Sequence, residues 1–193
     1  MKVNFIGLGY IGLPTAIIAA KHGIEIAGTD INPDIVEATN QGHLHIVEPD
    51  MEDMLREVVA NGKLKAYTEP QLSDAYFIVV PTPFKGNHEP DITYVEAATR
   101  SVVPFLKEGD LFVIESTSPV GTTEKMRDVI VSLRPELEGK IFMAYCPERV
   151  LPGNVAYELI NNDRVIGGIN PQSTEKAKEL YSQFVKGMQH PTD

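Results

Sequence analysis

"VNFIGLGYIG", residues 3–12, decides the fold. A short β-branched and aromatic run, Val3–Ile6, enters three glycines, Gly7, Gly9 and Gly12, and the stretch Tyr10–His22 has helical spacing. Strand, glycine turn and helix in that order cradle a pyrophosphate, and each glycine has its own task. Gly7 permits the tight turn, Gly9 lets a phosphate approach the backbone, and Gly12 lets helix and strand pack closely. The helix N-terminus then offers unpaired N–H groups to the phosphates. Tyr10 and Ile11 stand inside the same turn and belong to the candidate cofactor site. Pro14 falls in the first helical turn, where its missing N–H breaks no helical bond, and Gly23 is placed to end the helix. The next strand-like run, Glu25–Thr29, is followed by Asp30, eighteen residues past Gly12. An acid at that strand tip is positioned to accept hydrogen bonds from an adenosine ribose. The plainer account is a glycine turn and a helix-capping acid, since "DINP" (30–33) also looks like a helix start. Three checks agree on the dinucleotide: a strand before, a helix after, and an acid at the end of the next strand. No arginine follows Asp30 to meet a 2′-phosphate, so NAD is favoured over NADP.

The alternation continues down the chain. Strand-like runs are Tyr76–Val80, Leu111–Glu115, Ile141–Tyr145 and Arg164–Ile166, and helical spacing covers Asp34–Gln41, Met51–Asn61, Tyr94–Leu106, Thr122–Leu133 and Ser173–Val185. Strand then helix, repeated, means βαβ crossovers and a mostly parallel sheet. "FIVV" (77–80) and "LFVI" (111–114) are continuous apolar runs, as strands covered on both faces require. The expectation is one Rossmann-like, doubly wound α/β domain with sheet order 3-2-1-4-5-6. In that count Tyr76–Val80 is the fourth strand, and Arg164–Ile166 a seventh that extends one edge. The domain is placed at residues 1–185. "KGMQHPTD" (186–193) shows no pattern and reads as a tail or the start of a linker. Cys146–Asp163, rich in Pro, Gly and Asn, reads as a long loop, and loops of that length in compact domains are usually functional.

Bulk properties narrow the function. A net charge of −10 over 193 residues argues against nucleic acid or an anionic membrane surface as the main partner. Apolar residues at 42% and charged residues at 23% are ordinary for a soluble globular domain. One cysteine cannot form an internal disulfide, so a reducing cytoplasm fits. No run approaches the roughly 18 apolar residues of a membrane span, and the N-terminus reads as a strand, not a signal peptide. His43, His45 and Glu48 lack the i, i+4 spacing of helical zinc sites; they read as a solvated or interface loop, and no metal site is expected. The acids Glu48, Asp50, Glu52 and Asp53 sit before and within a helix's first turn, where they suit the dipole. Asp91 could cap a helix or touch a substrate.

In an open parallel sheet, ligands sit outside the carboxyl ends of the strands. Three such ends are unusual: "VVPTPF" (79–84), "ESTSPVGTTE" (115–124) and "YCPERVLPG" (145–153). Hydroxyls and an acid there make a plausible cofactor and substrate rim, although the same residues also make turns. With "GLGYIGLP", "HIVEPD", "VPTPFKGNHEPDITYVE", "AYCPERVLPG" and "ELINNDRVIGG" added, nearly the whole chain resembles the UDP-glucose/GDP-mannose dehydrogenase family. That resemblance implies oxidation of a primary alcohol of a UDP-sugar to a carboxylate, with NAD as cofactor in two hydride transfers. It implies that Gly7, Gly9, Gly12 and Asp30 form the dinucleotide site, with Thr82 beside the cofactor. Thr117 matches a residue near the nicotinamide and the catalytic water. Glu148 matches a carboxylate of cofactor placement and acid–base work, and Arg149, Val150 and Leu151 a loop that holds the substrate, partly through backbone groups. One departure stands out: the UDP-glucose enzymes carry a second glutamate four residues after the first, and here that place is Pro152. The family's full-length members imply a homodimer.

Cys146 is therefore weighed twice. The family's nucleophile is a cysteine in a glycine-rich loop of a later domain, and its lysine and asparagine lie on a central helix; neither motif occurs in these residues. Cys146 lies at a strand end, where a small apolar residue serves well, although Arg149 could supply the cationic setting of a reactive thiolate. The chain by itself is expected to bind NAD and to be inactive. Two other classes compete: a non-catalytic NAD-binding module, and an S-adenosylmethionine-dependent methyltransferase, which also uses a glycine turn and an acid after the second strand.

Overall fold

The computed structural model describes residues 1–48, 51–151 and 153–192. Asp50 of the acidic cluster and the departure at Pro152 lie outside the described residues. Eight strands form one sheet: β1 (Lys2–Ile6), β2 (Glu25–Thr29), β3 (Leu64–Tyr67), β4 (Ala75–Ile78), β5 (Leu111–Ile114), β6 (Phe142–Tyr145), β7 (Arg164–Gly168) and β8 (Gln189–Thr192). In the sheet they lie in the order β3-β2-β1-β4-β5-β6-β7-β8. Strands β1 to β6 are parallel, as expected. Strand β7 runs antiparallel to β6, with Ala144 opposite Gly168, and β8 is parallel to β7. The third strand, Leu64–Tyr67, occupies the place that no expected run had filled.

Among the described residues seven α-helices cover the sheet: α1 (Gly12–Lys21), α2 (Pro33–Asn40), α3 (Met51–Ala60), α4 (Thr93–Val102), α5 (Thr122–Leu133), α6 (Val155–Asn161) and α7 (Pro171–Tyr181). Successive strand residues point to opposite faces, and this builds two cores. Val3, Phe5, Phe77 and Val113 pack with α1, α3, α6 and α7, whereas Ile6, Tyr76, Ile78 and Phe112 pack with α4 and α5. That is why the central strands read as unbroken apolar runs. Helix α1 is buried along Gly12–Ala20, because it runs between the sheet and α3 and α6.

Two expectations need correction. The stretch 146–163 is not all loop, since Val155–Asn161 forms α6, a helix too short and too mixed to show a period. The stretch 186–193 is not patternless in space, since Gln189–Thr192 pairs with Arg164–Gly167 as β8. Gln189, His190, Pro191 and Thr192 include no large aliphatic or aromatic hydrophobe and are mostly exposed, so an edge strand here carries no apolar alternation to read.

Candidate functional site

The glycine turn is held between the first two strands. Gly7 N–H donates to the Thr29 carbonyl at 2.8 Å, and Gly7 has φ +102°. A Cβ on Gly7 would stand 2.2 Å from the Val79 carbonyl oxygen, and one on Gly12 would stand 2.0 Å from the Gly7 carbonyl oxygen. Both glycines are thus required for packing, Gly12 chiefly against the turn itself. Gly9 differs, because a Cβ there would meet nothing within 4 Å. It opens on the cleft, as a residue that must admit a phosphate should. No side chain caps the start of α1. Asp30 ties the second strand to this turn: Oδ2 accepts from Leu8 N–H at 2.9 Å and Oδ1 from Asn32 N–H at 2.9 Å. The helix cap of α2 is Asn32, whose side chain accepts from Asp34 N–H. The Asp30 carboxylate therefore keeps unused lone pairs beside the turn.

A cleft of about 690 Å³ lies at the carboxyl ends of β1, β2, β4 and β5. Its size falls within the range of ligand sites. Gly7, Gly9, Tyr10, Ile11, Asp30, Thr82, Thr117 and Glu148 all line it. Ser116 knits two of the unusual strand ends together, accepting from Val80 N–H at 2.9 Å and donating to the Val80 carbonyl at 2.8 Å. This brings Thr82 and Thr117 to one rim. Gly12 lies under the turn. The open face at Gly9, the uncapped helix start and the acid at Asp30 fit a dinucleotide.

The residues matched to a substrate loop sit beside this cleft, not in its wall. Four alternate N–H groups, three in the loop and one at the start of α6, are held by carboxylates. Arg149 N–H donates to Glu148 Oε1 at 2.7 Å, and Leu151 N–H to Glu158 Oε2 at 2.9 Å. Gly153 and Val155 N–H donate to the two oxygens of Glu48 at 2.8 and 3.3 Å. The Arg149 guanidinium turns away to the Asp163 carbonyl, Val150 is half-buried, and the Leu151 side chain is exposed. Glu48 is a correction as well as a find. Its buried carboxylate caps α6, about a hundred residues further on, and does more than complement the dipole of α3. No local pattern announces a cap that distant.

Behind Glu148 lies a dry charged cluster. Arg164, buried at 3% exposure, pairs through Nη1 with Glu148 Oε2, donates to the Leu159 carbonyl at 3.2 Å and stacks over the Tyr181 ring. The Tyr181 hydroxyl donates to Glu115 Oε1 at 2.6 Å. Cys146, fully buried, completes the group. Burial pushes the Glu115 carboxyl up to about 7 against the pull of Arg164, while the Glu148 charge adds to the rise. Burial also pushes the Cys146 thiol up to about 12. The nearby cation is Arg164, not Arg149. Sequence reasoning missed Glu115, Arg164 and Tyr181 because the cluster depends on the direction of β7. The antiparallel register that pairs Tyr145 with Gly167, continued by three residues, sets Glu148 opposite Arg164. A thiol so protonated and enclosed cannot serve as a nucleophile. Cys146→Ser is accordingly expected to leave NAD affinity nearly unchanged and to lower stability by about 1–2 kcal/mol, the cost of a hydroxyl in a dry site. Titration calorimetry and urea unfolding check the two halves of this expectation.

The fold and the cleft define a Rossmann-type dinucleotide-binding domain. The chain belongs to the UDP-glucose/GDP-mannose dehydrogenase family, whose NAD binding domain matches residues 1–185. It is 51% identical to UDP-N-acetyl-D-mannosamine dehydrogenase of Escherichia coli strain K12, over 96% of this chain and 46% of that protein. It is 50% identical to NDP-N-acetyl-D-galactosaminuronic acid dehydrogenase of Ralstonia nicotianae, over 99% of this chain and 47% of that protein. The solved UDP-D-ManNAc dehydrogenase of Pyrococcus horikoshii superposes with a TM-score of 0.95 at 41% identity, covering 100% of this chain and 47% of that one. The chain spans about half the length of the relatives it matches. Among the described residues no helix is long and apolar enough to cross a membrane.

Proposed function

We propose that the chain is the NAD-binding half of a nucleotide-sugar 6-dehydrogenase. The full-length enzyme oxidises UDP-N-acetyl-D-mannosamine to UDP-N-acetyl-D-mannosaminuronate in two NAD-dependent steps, in the cytoplasm, for surface polysaccharide, as a homodimer. The observation that carries this reading is one cleft lined by the glycine turn, Asp30, Thr82, Thr117 and Glu148 together. NAD supplies the hydride acceptor when bound. Gly7–Gly12 and Asp30 hold its adenosine and pyrophosphate half. Thr82 would border the remaining length, with Thr117 near the nicotinamide and the catalytic water. Glu148, held by Arg164, places the cofactor and handles protons there. Arg149, Val150 and Leu151 form one wall of the sugar site; the Arg149 and Leu151 N–H groups are already committed to carboxylates, which restrains the backbone there. Support for the mannosamine substrate comes from the relatives that act on it, and the galactosaminuronic acid enzymes at equal identity make the sugar's configuration the point to test.

Binding and chemistry should separate in this chain. The cofactor site is complete within it, whereas its one cysteine is buried and protonated. Nucleophile and acid–base groups act as a unit, and losing one member removes nearly all the rate. The expected result is measurable NAD binding, weak or no UDP-N-acetylmannosamine binding, and no NADH formed with chain in stoichiometric amount and both ligands saturating. One clean turnover per chain, read at the nicotinamide absorbance band, would overturn the structural assignment of Cys146. Failure to bind NAD would overturn the reading of the cleft.

A further inference from the structure

The far end of the cleft is lined by two carboxylates, Glu115 and Glu148, with Arg164 buried behind Glu148. The glycine turn and Asp30 assign the adenosine half of NAD to the β1–β2 side. What remains, bordered by Thr82, Ser116, Thr117, Glu115 and Glu148, is left for the nicotinamide half. Glu115 is 2% exposed. Its Oε1 accepts from Tyr181, and its Oε2 is buried with no hydrogen-bond partner among the described residues. Arg164 acts on Glu115 as well as on Glu148, so among the described residues two carboxylates share one cation.

We propose that Glu115 is a further cofactor-binding residue whose proton follows the charge of the nicotinamide ring. It is ionised when the oxidised, cationic ring is bound, and it carries a proton on Oε2 when the reduced, neutral ring is bound. The argument is charge balance in a site with little water. With Glu115 and Glu148 both ionised and Arg164 charged, the cluster has one net negative charge, which a cationic ring offsets. With a neutral ring, a proton taking the buried Oε2 lone pair offsets it instead, since an isolated carboxylate is costly to keep dry. Among the described residues, the titratable and charged groups facing Glu115 are Tyr181 from α7, Arg164 from β7, and Cys146 and Glu148 after β6. Helix α4 gives Tyr94 and Ser101 to the cleft wall and no charge, and the cleft lining includes no histidine. The pull of burial on Glu115, up to about 7, places the exchange in an accessible pH range.

The inference rests on NAD occupying this cleft, and the test keeps the two apart. Dissociation constants of NAD⁺ and NADH for the 193-residue chain are measured at pH 6, 7 and 8 at fixed ionic strength. NAD⁺ should bind more tightly as the pH rises and NADH less tightly, so that their ratio moves toward about tenfold per pH unit near neutrality, the limit for one exchanged proton. Calorimetry at pH 7 in buffers of different ionisation enthalpy should show proton release with NAD⁺ and uptake with NADH, in the unaltered chain. Glu115→Gln, which keeps an acceptor for Tyr181, should flatten the ratio. A ratio that does not move with pH in the unaltered chain, or one that still moves in E115Q, overturns the assignment of Glu115. If neither cofactor form binds, the NAD reading of the cleft fails, and this inference with it.

Discussion

Arg164→Met should lower the stability of the chain by about 3–5 kcal/mol at pH 8, the cost of removing one partner from a buried ion pair. The cause is not the lost attraction alone. Glu148 and Glu115 stay where they are, out of water, with no cation beside them. The pH dependence carries the diagnosis. Glu115 already titrates at about 7 in the folded chain against an ordinary 4.5, so the folded state holds a proton that the unfolded chain releases. The stability this group contributes is fully present below pH 4.5 and is lost as the pH rises through 7. Removing the Arg164 charge pushes Glu115 higher still, because the pull that opposed its burial is gone. The gap between variant and parent should therefore be widest above pH 7 and narrow toward pH 5. Urea unfolding at pH 5.5 and pH 8 measures it. An equal loss at both values would mean that only the packing of Arg164 on Tyr181 had been removed.

Gly12→Ala and Gly9→Ala should fail in different ways, although both sit in one turn. A methyl on Gly12 would stand 2.0 Å from the Gly7 carbonyl oxygen, so the turn and α1 must move apart. Overpacking of this kind costs about 1–3 kcal/mol or more, and the displaced turn should lose NAD affinity by about a hundredfold, roughly 2.8 kcal/mol. A methyl on Gly9 meets no protein atom within 4 Å, so the melting temperature without ligand should match the parent. The methyl instead occupies the phosphate's approach. The stabilisation of roughly 2.7 kcal/mol that NAD gives the parent at a hundred times its dissociation constant should largely vanish at that same concentration. Thermal melts of both variants with and without NAD separate the two. A Gly9→Ala chain that binds NAD like the parent would remove the pyrophosphate from this turn.

What could be read in the residues divides along a physical line. The glycine turn, Asp30 and the two-faced apolar strands are local chemistry, and they appear in the structure where their spacing puts them. The strand Leu64–Tyr67 was passed over because "LKAY" buries only Leu64 and Ala66, too few for an alternation to stand out. Strand β8 was passed over because an exposed edge needs no apolar face. The charged cluster is a different matter. Arg164 looks like an ordinary strand-opening residue, and a parallel β7 would have carried it to the opposite end of the sheet. Only the reversal brings it to the carboxyl ends beside Glu148. Glu48 was legible as an acid near a helix, but its partners, Gly153 and Val155, are set by tertiary packing that no short window contains.

The same reversal has a consequence for how the molecule is assembled. The cleft walls from Gly7 to Thr117 are built before the chain reaches α7, yet Glu115 finds its hydroxyl partner at Tyr181, 66 residues on. Until that segment docks, both glutamates lie open to water, and open carboxylates at neutral pH are ionised. Pairings that span long sequence separations close late, because loop-closure entropy must be overcome first. Docking of β7 and α7 is thus a drying event: that segment covers two hydrated anions, brings a single cation for them, and raises the proton affinity of Glu115.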